Sequence, residues 1–241
     1  MPADLQTKSS IRLHIGCGEK YLPGYVNIDY PPSEHTVMKV KADVYHDIRT
    51  LDYPAGSIAE IRSHHLFEHF SRAQALKLLA RWRGWLEPDG LLIVETPDFG
   101  ACVRAYFWAW SRRRRFQVGR HVFGSQEAKW AIHYDFWDKP KFKYVLAEMG
   151  FKGIRVRRYA NGLAKHFPKY YLILNVVGSL LPPGFYRKYG SNKLPNILVT
   201  ARRDGRQINY RAVAREIFLN YLAGRETDNL VDVWLKDFDA A

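Results

Sequence analysis

The sequence predicts an α/β domain built on a mostly parallel sheet with helices on both faces. Three observations predict it. Short apolar runs alternate with helical patterns through the first half of the chain, as βαβ units require. Glycines follow the first such run and an acidic residue closes the second. Leu91 to Val94 is apolar throughout, the pattern of a strand covered on both faces.

Ile11 to Ile15 reads as the first strand, running into Gly16-Cys17-Gly18, and Tyr25 to Ile28 as the second, ending at Asp29. Pro31 and Pro32 force a loop, a third strand is expected around Val37 to Val44, and Ile58 to Ser63 forms a fourth before His64. Ser71 caps a helix whose apolar positions Ala75, Leu78, Leu79, Trp82, Trp85 and Leu86 follow helical spacing. It stops at Glu87-Pro88-Asp89-Gly90. An apolar and aromatic stretch, Ala101 to Trp110, precedes the run Arg112 to Arg115. Asp138, with Pro140 just inside, opens a helix carrying Phe142, Val145, Leu146 and Met149, and Gly150 closes it. Ile154 to Tyr159 and Asn196 to Thr200 read as further strands, separated by an insertion over about 161–195 that is partly apolar from Tyr170 to Leu181. A last helical pattern, Tyr210 to Leu222, stops at Gly224 and leads into an acidic tail. The expected organisation is one domain over 1–204 and a C-terminal helical extension over 205–241.

The chain's 241 residues are 47% hydrophobic and 15% aromatic, enough to bury a sizeable core and too much for a disordered chain. Cys17 and Cys102 make neither a disulfide framework nor a zinc motif, which points to a reducing compartment. No run reaches the roughly 18 apolar residues of a membrane span, and the first ten residues hold no apolar stretch. A cytoplasmic location is expected, extending to the inner face of the membrane. The net charge of +13 is unevenly placed: residues 1–100 hold 11 basic and 13 acidic side chains, whereas residues 101–165 hold 15 and 4. Such a segment suits an anionic partner.

Glycines at the carboxyl end of a first strand lie where open α/β sheets bind ligands, and an acid ending the second strand can accept hydrogen bonds from both ribose hydroxyls of a nucleoside. Several stretches follow in order: Ile15-Gly16-Cys17-Gly18, Val26-Asn27-Ile28-Asp29, Asp47-Ile48, Glu68-His69, Leu86-Glu87-Pro88-Asp89-Gly90, Thr96-Pro97-Asp98 and Gly150-Phe151. In this ordered set the chain resembles the class I S-adenosylmethionine-dependent methyltransferases, especially small bacterial ones of the type-11 kind linked to cell-surface polysaccharide synthesis. The resemblance implies a Rossmann-like, seven-stranded sheet with one antiparallel strand, and S-adenosylmethionine as cofactor. It implies that Gly16, Cys17 and Gly18 approach the methionine part, that Asp29 holds the ribose with Tyr30 beside it, that Asp47 and the Ile48 amide read the adenine, and that His64 lies at the cofactor.

Two residues depart from the pattern: His14 stands where relatives carry an acid and Lys20 where they carry a glycine. Only 11 residues separate Gly18 from Asp29, against about 20 in dinucleotide folds. The helix between the first strands must be nearly absent, which argues against NAD, whose pyrophosphate needs that helix N-terminus.

Three of nine histidines cluster in Ser63-His64-His65-Leu66-Phe67-Glu68-His69. On a helix, His65 and His69 would share a face with Glu68 beside them. Magnesium-binding relatives of the ubiquinone-pathway and small-RNA kinds carry Glu-x-x-Glu-His here, but His65 is a poorer ligand for that hard cation, so no metal is assigned. The expected catalytic role is proton handling for a hydroxyl nucleophile by His69, His65 and His133, histidines that titrate near neutrality.

Between Tyr106 and Trp137 arginines interleave with Trp108, Trp110, Phe116, Phe123, Trp130 and Tyr134. Arginine suits phosphates and carboxylates, and aromatic faces suit sugar rings or unstacked bases. The expected acceptor is a sugar hydroxyl of an anionic glycan or lipid-linked saccharide. RNA or a small molecule is the alternative acceptor, and a non-catalytic binding partner of the same fold is the alternative outside enzymes. Nucleic acid is disfavoured because no RNA-binding module is present. The stretch Tyr170 to Leu181, flanked by basic residues, could lie on an anionic membrane or form a homodimer face.

Overall fold

A computed structural model describes residues 11–35, 37–109, 111–160 and 194–240. Seven strands form one sheet: β1 (Ile11–Ile15), β2 (Val26–Asp29), β3 (Val44–Tyr45), β4 (Ile58–His64), β5 (Leu86–Pro97), β6 (Phe151–Ala160) and β7 (Pro195–Arg203). Their order is β3-β2-β1-β4-β5-β7-β6. β1 to β5 run parallel, and β7 lies antiparallel to both β5 and β6. The expected single antiparallel strand is therefore present.

Local chemistry sets most of the element ends. α1 (Arg72–Trp85) begins at a full capping box in which the Ser71 side chain accepts from the Gln74 N–H and the Gln74 side chain accepts from the Ser71 N–H. Asp98, Ser111 and Asp138 cap α2 (Phe99–Phe107), α3 (Arg112–Phe123) and α4 (Lys139–Glu148) in the same way from their side chains. Leu92 to Pro97 of β5 are all buried, so both faces of the central strand are covered. Leu13, Ile15, Ile28, Ile61 and Val94 of the sheet join Leu79 and Trp82 of α1 and Phe142 and Leu146 of α4 in one hydrophobic cluster.

The structure corrects some of these expectations and adds detail to others. The third strand is only two residues long: Asp43 instead receives the Asn27 N–H and Nδ2–H on its carboxylate and gives its own N–H to Asn27 O, replacing ladder bonds with side-chain ones. The acidic tail is a helix. After α5 (Tyr210–Leu219) comes α6 (Asp228–Ala240), whose Val231, Leu235 and Phe238 join the main cluster while its acids face outward. The segment Ile58 to Ser63 continues to His64, but no α-helix follows it: His65 has φ +48° and residues Phe67–His69 form one 3-10 turn. The four-arginine run opens α3. Residues 161–193, which include the Tyr170 to Leu181 stretch, lie outside the described residues.

Arg83, buried on α1, ties the C-terminal helices to the sheet. Its guanidinium donates to Gly150 O, Asp204 Oδ1, Arg206 O and the Tyr210 hydroxyl. Gly150 (φ +86°) must lack a side chain there, because a Cβ would sit 2.4 Å from Arg83 Nε.

Candidate functional site

β1 ends in a turn that only glycine fits. Gly16 has φ +69°, and a Cβ on it would lie 2.8 Å from the Leu66 side chain. The N–H groups of Gly16 and Cys17 both donate to Ile28 O, which binds the turn to the end of β2. Gly18 (φ +53°) donates its N–H to Asp29 Oδ2 at 2.7 Å, and Asp29 Oδ1 accepts from the Tyr30 N–H at 2.7 Å. These bonds aim the Asp29 carboxylate at a cavity of about 860 Å³ beyond the carboxyl ends of β1, β2 and β4. Gly16, Cys17, Gly18, Asp29, Tyr30, Ile48 and His64 all line it.

Asp47 does not line the cavity. Its carboxylate is taken by its own turn and by Arg49, whose Nε and Nη2 lie 2.7 to 3.1 Å from the two oxygens, and it is Arg49 that reaches the cavity wall. His14 also stays out: it is fully buried, its Nδ1 lies 3.0 Å from Asn27 Oδ1, and burial pushes its pKa down to about 4. It is a core residue. Lys20, the other departure from the expected pattern, does line the cavity.

The histidines separate in a way helical spacing cannot foresee. Because His65 takes a left-handed backbone and a 3-10 turn follows, His65 and His69 face different neighbours. His65 lies between two carboxylates, with Nδ1 3.3 Å from Glu68 Oε1 and Nε2 3.3 Å from Glu95 Oε1. Burial alone would lower its pKa, but the hydrogen bonds and charges of Glu68 and Glu95 outweigh that and push it up to about 10. At neutral pH His65 holds its proton, so it cannot serve as the free base expected of it. His69 lines the cavity, and its Nδ1 lies 3.1 Å from Ile132 O. Donation from Nδ1 to that carbonyl leaves Nε2 as the nitrogen with a lone pair.

His133 stands behind His69, with ring centroids 4.6 Å apart, and lines a separate small cavity with Glu68 rather than the large one. Burial, then the neighbouring histidines, holds its pKa below the usual range, although Glu68 opposes them. Glu68, His69 and His133 each bring a ligand atom within 4.8 Å of the others. Glu68 is buried, and among the described residues its Oε2 has no hydrogen-bond partner. This set fits a divalent cation of borderline softness better than the His65, Glu68 and His69 set that the spacing suggested.

Sequence reasoning missed His35. A 3-10 turn at Pro32–Glu34 carries it over Asp29, with Nε2 3.2 Å from Oδ1, and its ring stands 5.0 Å from Trp130. Trp130 Nε1 in turn donates to Glu34 O at 2.8 Å, so two remote segments meet at the cavity rim. Trp130 belongs to the aromatic segment that drew notice. His35 had no signal beyond the double proline before it.

No family model matches the chain, and no curated protein matches it. Several solved structures share its architecture. A SAM-dependent methyltransferase from Archaeoglobus fulgidus is 12% identical, with 81% of this chain and 87% of that one covered and a TM-score of 0.47. An S-adenosylmethionine-dependent methyltransferase from Mesorhizobium loti is 14% identical, with 80% and 90% covered and a TM-score of 0.45. Phosphoethanolamine N-methyltransferase 2 of Haemonchus contortus, solved with S-adenosyl-L-methionine, is 13% identical at a TM-score of 0.44, and this chain spans about half of its length, 49%. At these scores the likenesses add no argument, and the fold stands on the chain's own strand order. That order, with its single antiparallel strand, is the Rossmann-like sheet that the resemblance leads one to expect.

Proposed function

We propose that this chain is an S-adenosylmethionine-dependent methyltransferase. The observation that carries the reading is the Asp29 carboxylate, fixed by the Gly18 and Tyr30 amides and open to a cavity behind a side-chain-free turn. Gly18 supports the fit: a Cβ there would meet only Met38 Sδ, at 3.9 Å, so the backbone is open to a ligand. With no helix between β1 and β2 there is no N-terminus for a pyrophosphate, a loss that a cofactor without phosphate tolerates. Gly16 to Gly18 would hold the methionine part, Asp29 the ribose, and the Ile48 backbone the adenine. When bound, this cofactor supplies an electrophilic methyl group on a sulfonium.

The acceptor we infer is a hydroxyl on an anionic, sugar-like molecule. Lys20 and Lys129 offer charge at the cavity, and Trp130 and Tyr134 offer faces for a sugar ring. His69 Nε2 would take the hydroxyl proton as the oxygen bonds to the methyl carbon and the methyl carbon–sulfur bond breaks, leaving S-adenosylhomocysteine as a neutral thioether, and Glu68 would stabilise the imidazolium with His133 packed against the ring. A second reading is favoured by the unpartnered Oε2 of Glu68: a divalent cation held by Glu68, His69 and His133 would polarise the same hydroxyl.

Calorimetry with S-adenosylmethionine tests the core of the proposal. Wild type should bind, and Asp29→Asn should bind about a hundredfold more weakly, as expected for loss of charge-assisted bonds to two hydroxyls. No binding to wild type would leave a non-catalytic protein of this fold as the reading. Transfer of a tritiated methyl group into envelope glycan fractions, and not into total RNA, would support the acceptor class.

A further inference from the structure

The arginine run lies away from the cavity that the proposed chemistry uses. Arg112, Arg113 and Arg120 line a separate open groove of about 570 Å³ on α3, with Phe116 and Gln117. Residues 99–123 contain six arginines and no acidic residue. Among the described residues Arg112, Arg113 and Arg120 make no ion pair, and with Arg104 and Arg115 they are exposed. The acceptor in the cavity therefore does not neutralise this charge.

Exposed apolar side chains share the same two helices. Of the 14 large hydrophobic residues exposed among the described residues, six lie between 103 and 123: Val103, Tyr106, Phe107, Trp108, Phe116 and Phe123. Phe107 is 74% exposed and Phe116 70%. Positions 112, 116, 120 and 123 fall on one face of α3 by helical spacing, and positions 103, 106 and 107 on one face of α2. The opposite faces supply Cys102, Ala105 and Val118, which pack together and hold the helix pair as a unit. The Arg115 guanidinium stands 5.9 Å from the Tyr106 ring, which joins the basic face to the apolar one. Water solvates arginines readily, but it gives no reason to leave phenylalanines and a valine exposed beside them.

We propose that the α2–α3 pair docks on an anionic lipid membrane. The arginines would meet lipid phosphates while the phenylalanine and tryptophan rings enter the headgroup and acyl boundary, the arrangement of interfacial helices. Nucleic acid would also meet the charge, and the rings can stack on unpaired bases, but Val103 offers a base neither a ring face nor a hydrogen bond and gains only from an apolar phase. Among the described residues no helix is long and apolar enough to cross a membrane, so the contact is peripheral. The proposal does not depend on which reaction the cavity supports.

Co-sedimentation with vesicles tests it. The full chain should pellet with phosphatidylcholine vesicles containing phosphatidylglycerol, far less with phosphatidylcholine alone, and should be released by salt. Arg112→Glu and Arg113→Glu should each weaken partition about fivefold or more, from the contribution of one basic side chain near an anionic surface. Phe107→Ser with Phe116→Ser should weaken it even at low salt, where charge alone cannot compensate. Thermal unfolding of each variant should match wild type, because the changed side chains are exposed. Equal pelleting with both vesicle types, or variants that pellet like wild type, would overturn the proposal. Tight binding to total RNA, lost in the same variants while vesicle binding stays absent, would assign the surface to nucleic acid instead.

Discussion

His35 Nε2 lies 3.2 Å from Asp29 Oδ1, on the carboxylate that the proposed cofactor's ribose must reach. A carboxylate offers about four lone-pair sites, and the Gly18 and Tyr30 amides already take one each. The His35 ring makes no hydrogen bond there but stands against Oδ1, where it crowds the side from which a diol would approach.

His35→Ala should therefore tighten S-adenosylmethionine binding about tenfold, because the ring then no longer stands against the carboxylate oxygen that the ribose must reach. Calorimetry reads it directly. Weaker binding would mean that the imidazole stacks on or bonds to the cofactor rather than competing with it.

His69→Ala should lower turnover about 10² to 10⁴-fold while leaving cofactor affinity unchanged. The deficit should shrink as pH rises, because hydroxide then replaces the lost base. A deficit independent of pH would point to substrate positioning. Loss of activity in the wild type on chelation, restored by added divalent cation, would favour the metal reading of Glu68, His69 and His133.

His65 sets a stability window. Its pKa is raised in the folded chain from 6.5 to about 10 by Glu68 and Glu95. The native state then holds a proton that the unfolded state lacks, so this stabilisation is complete below about 6.5 and is lost as pH rises through about 10. His65→Gln should be less stable than wild type near neutrality, and the difference should narrow between those values. A gap that stays constant to pH 10, measured by denaturant unfolding, would show that His65 is neutral in the native state.

Arg83→Ala should destabilise the fold by about 3 kcal/mol, because it leaves the Gly150 and Arg206 carbonyls without the guanidinium and Asp204 with Arg206 alone. Cofactor binding at the far end of the sheet should persist at low temperature. Destabilisation below about 1 kcal/mol would mean that water replaces the guanidinium there.

Much of the site was legible because its parts are local. Gly16 and Gly18 advertise a backbone that no side chain can occupy, and Asp29 closes a run of apolar residues, so their place at two strand ends follows from the chain alone. Asp47 misled because an aspartate before a turn and an aspartate facing a ligand look alike in sequence. Arg49, two residues later, decides between them. The acids of Asp228 to Asp239 alternate with Val231, Leu235 and Phe238, whose helical spacing agrees with the expected helical extension.

By itself, the sequence determined the order of strands and helices, the helix caps, the glycine turn and the acid beside it, because each depends on period, propensity or a bond spanning a few residues. Only the tertiary structure decided which histidine keeps its proton, that His133 stands behind the cavity rather than in it, and that the arginine run of α3 lies away from it. Those outcomes depend on Glu95, Ile132 and His133 meeting the 64–69 segment across the sheet and from a distant loop. Distances and burial between residues remote in the chain set the electrostatics there, and no spacing along the sequence encodes them.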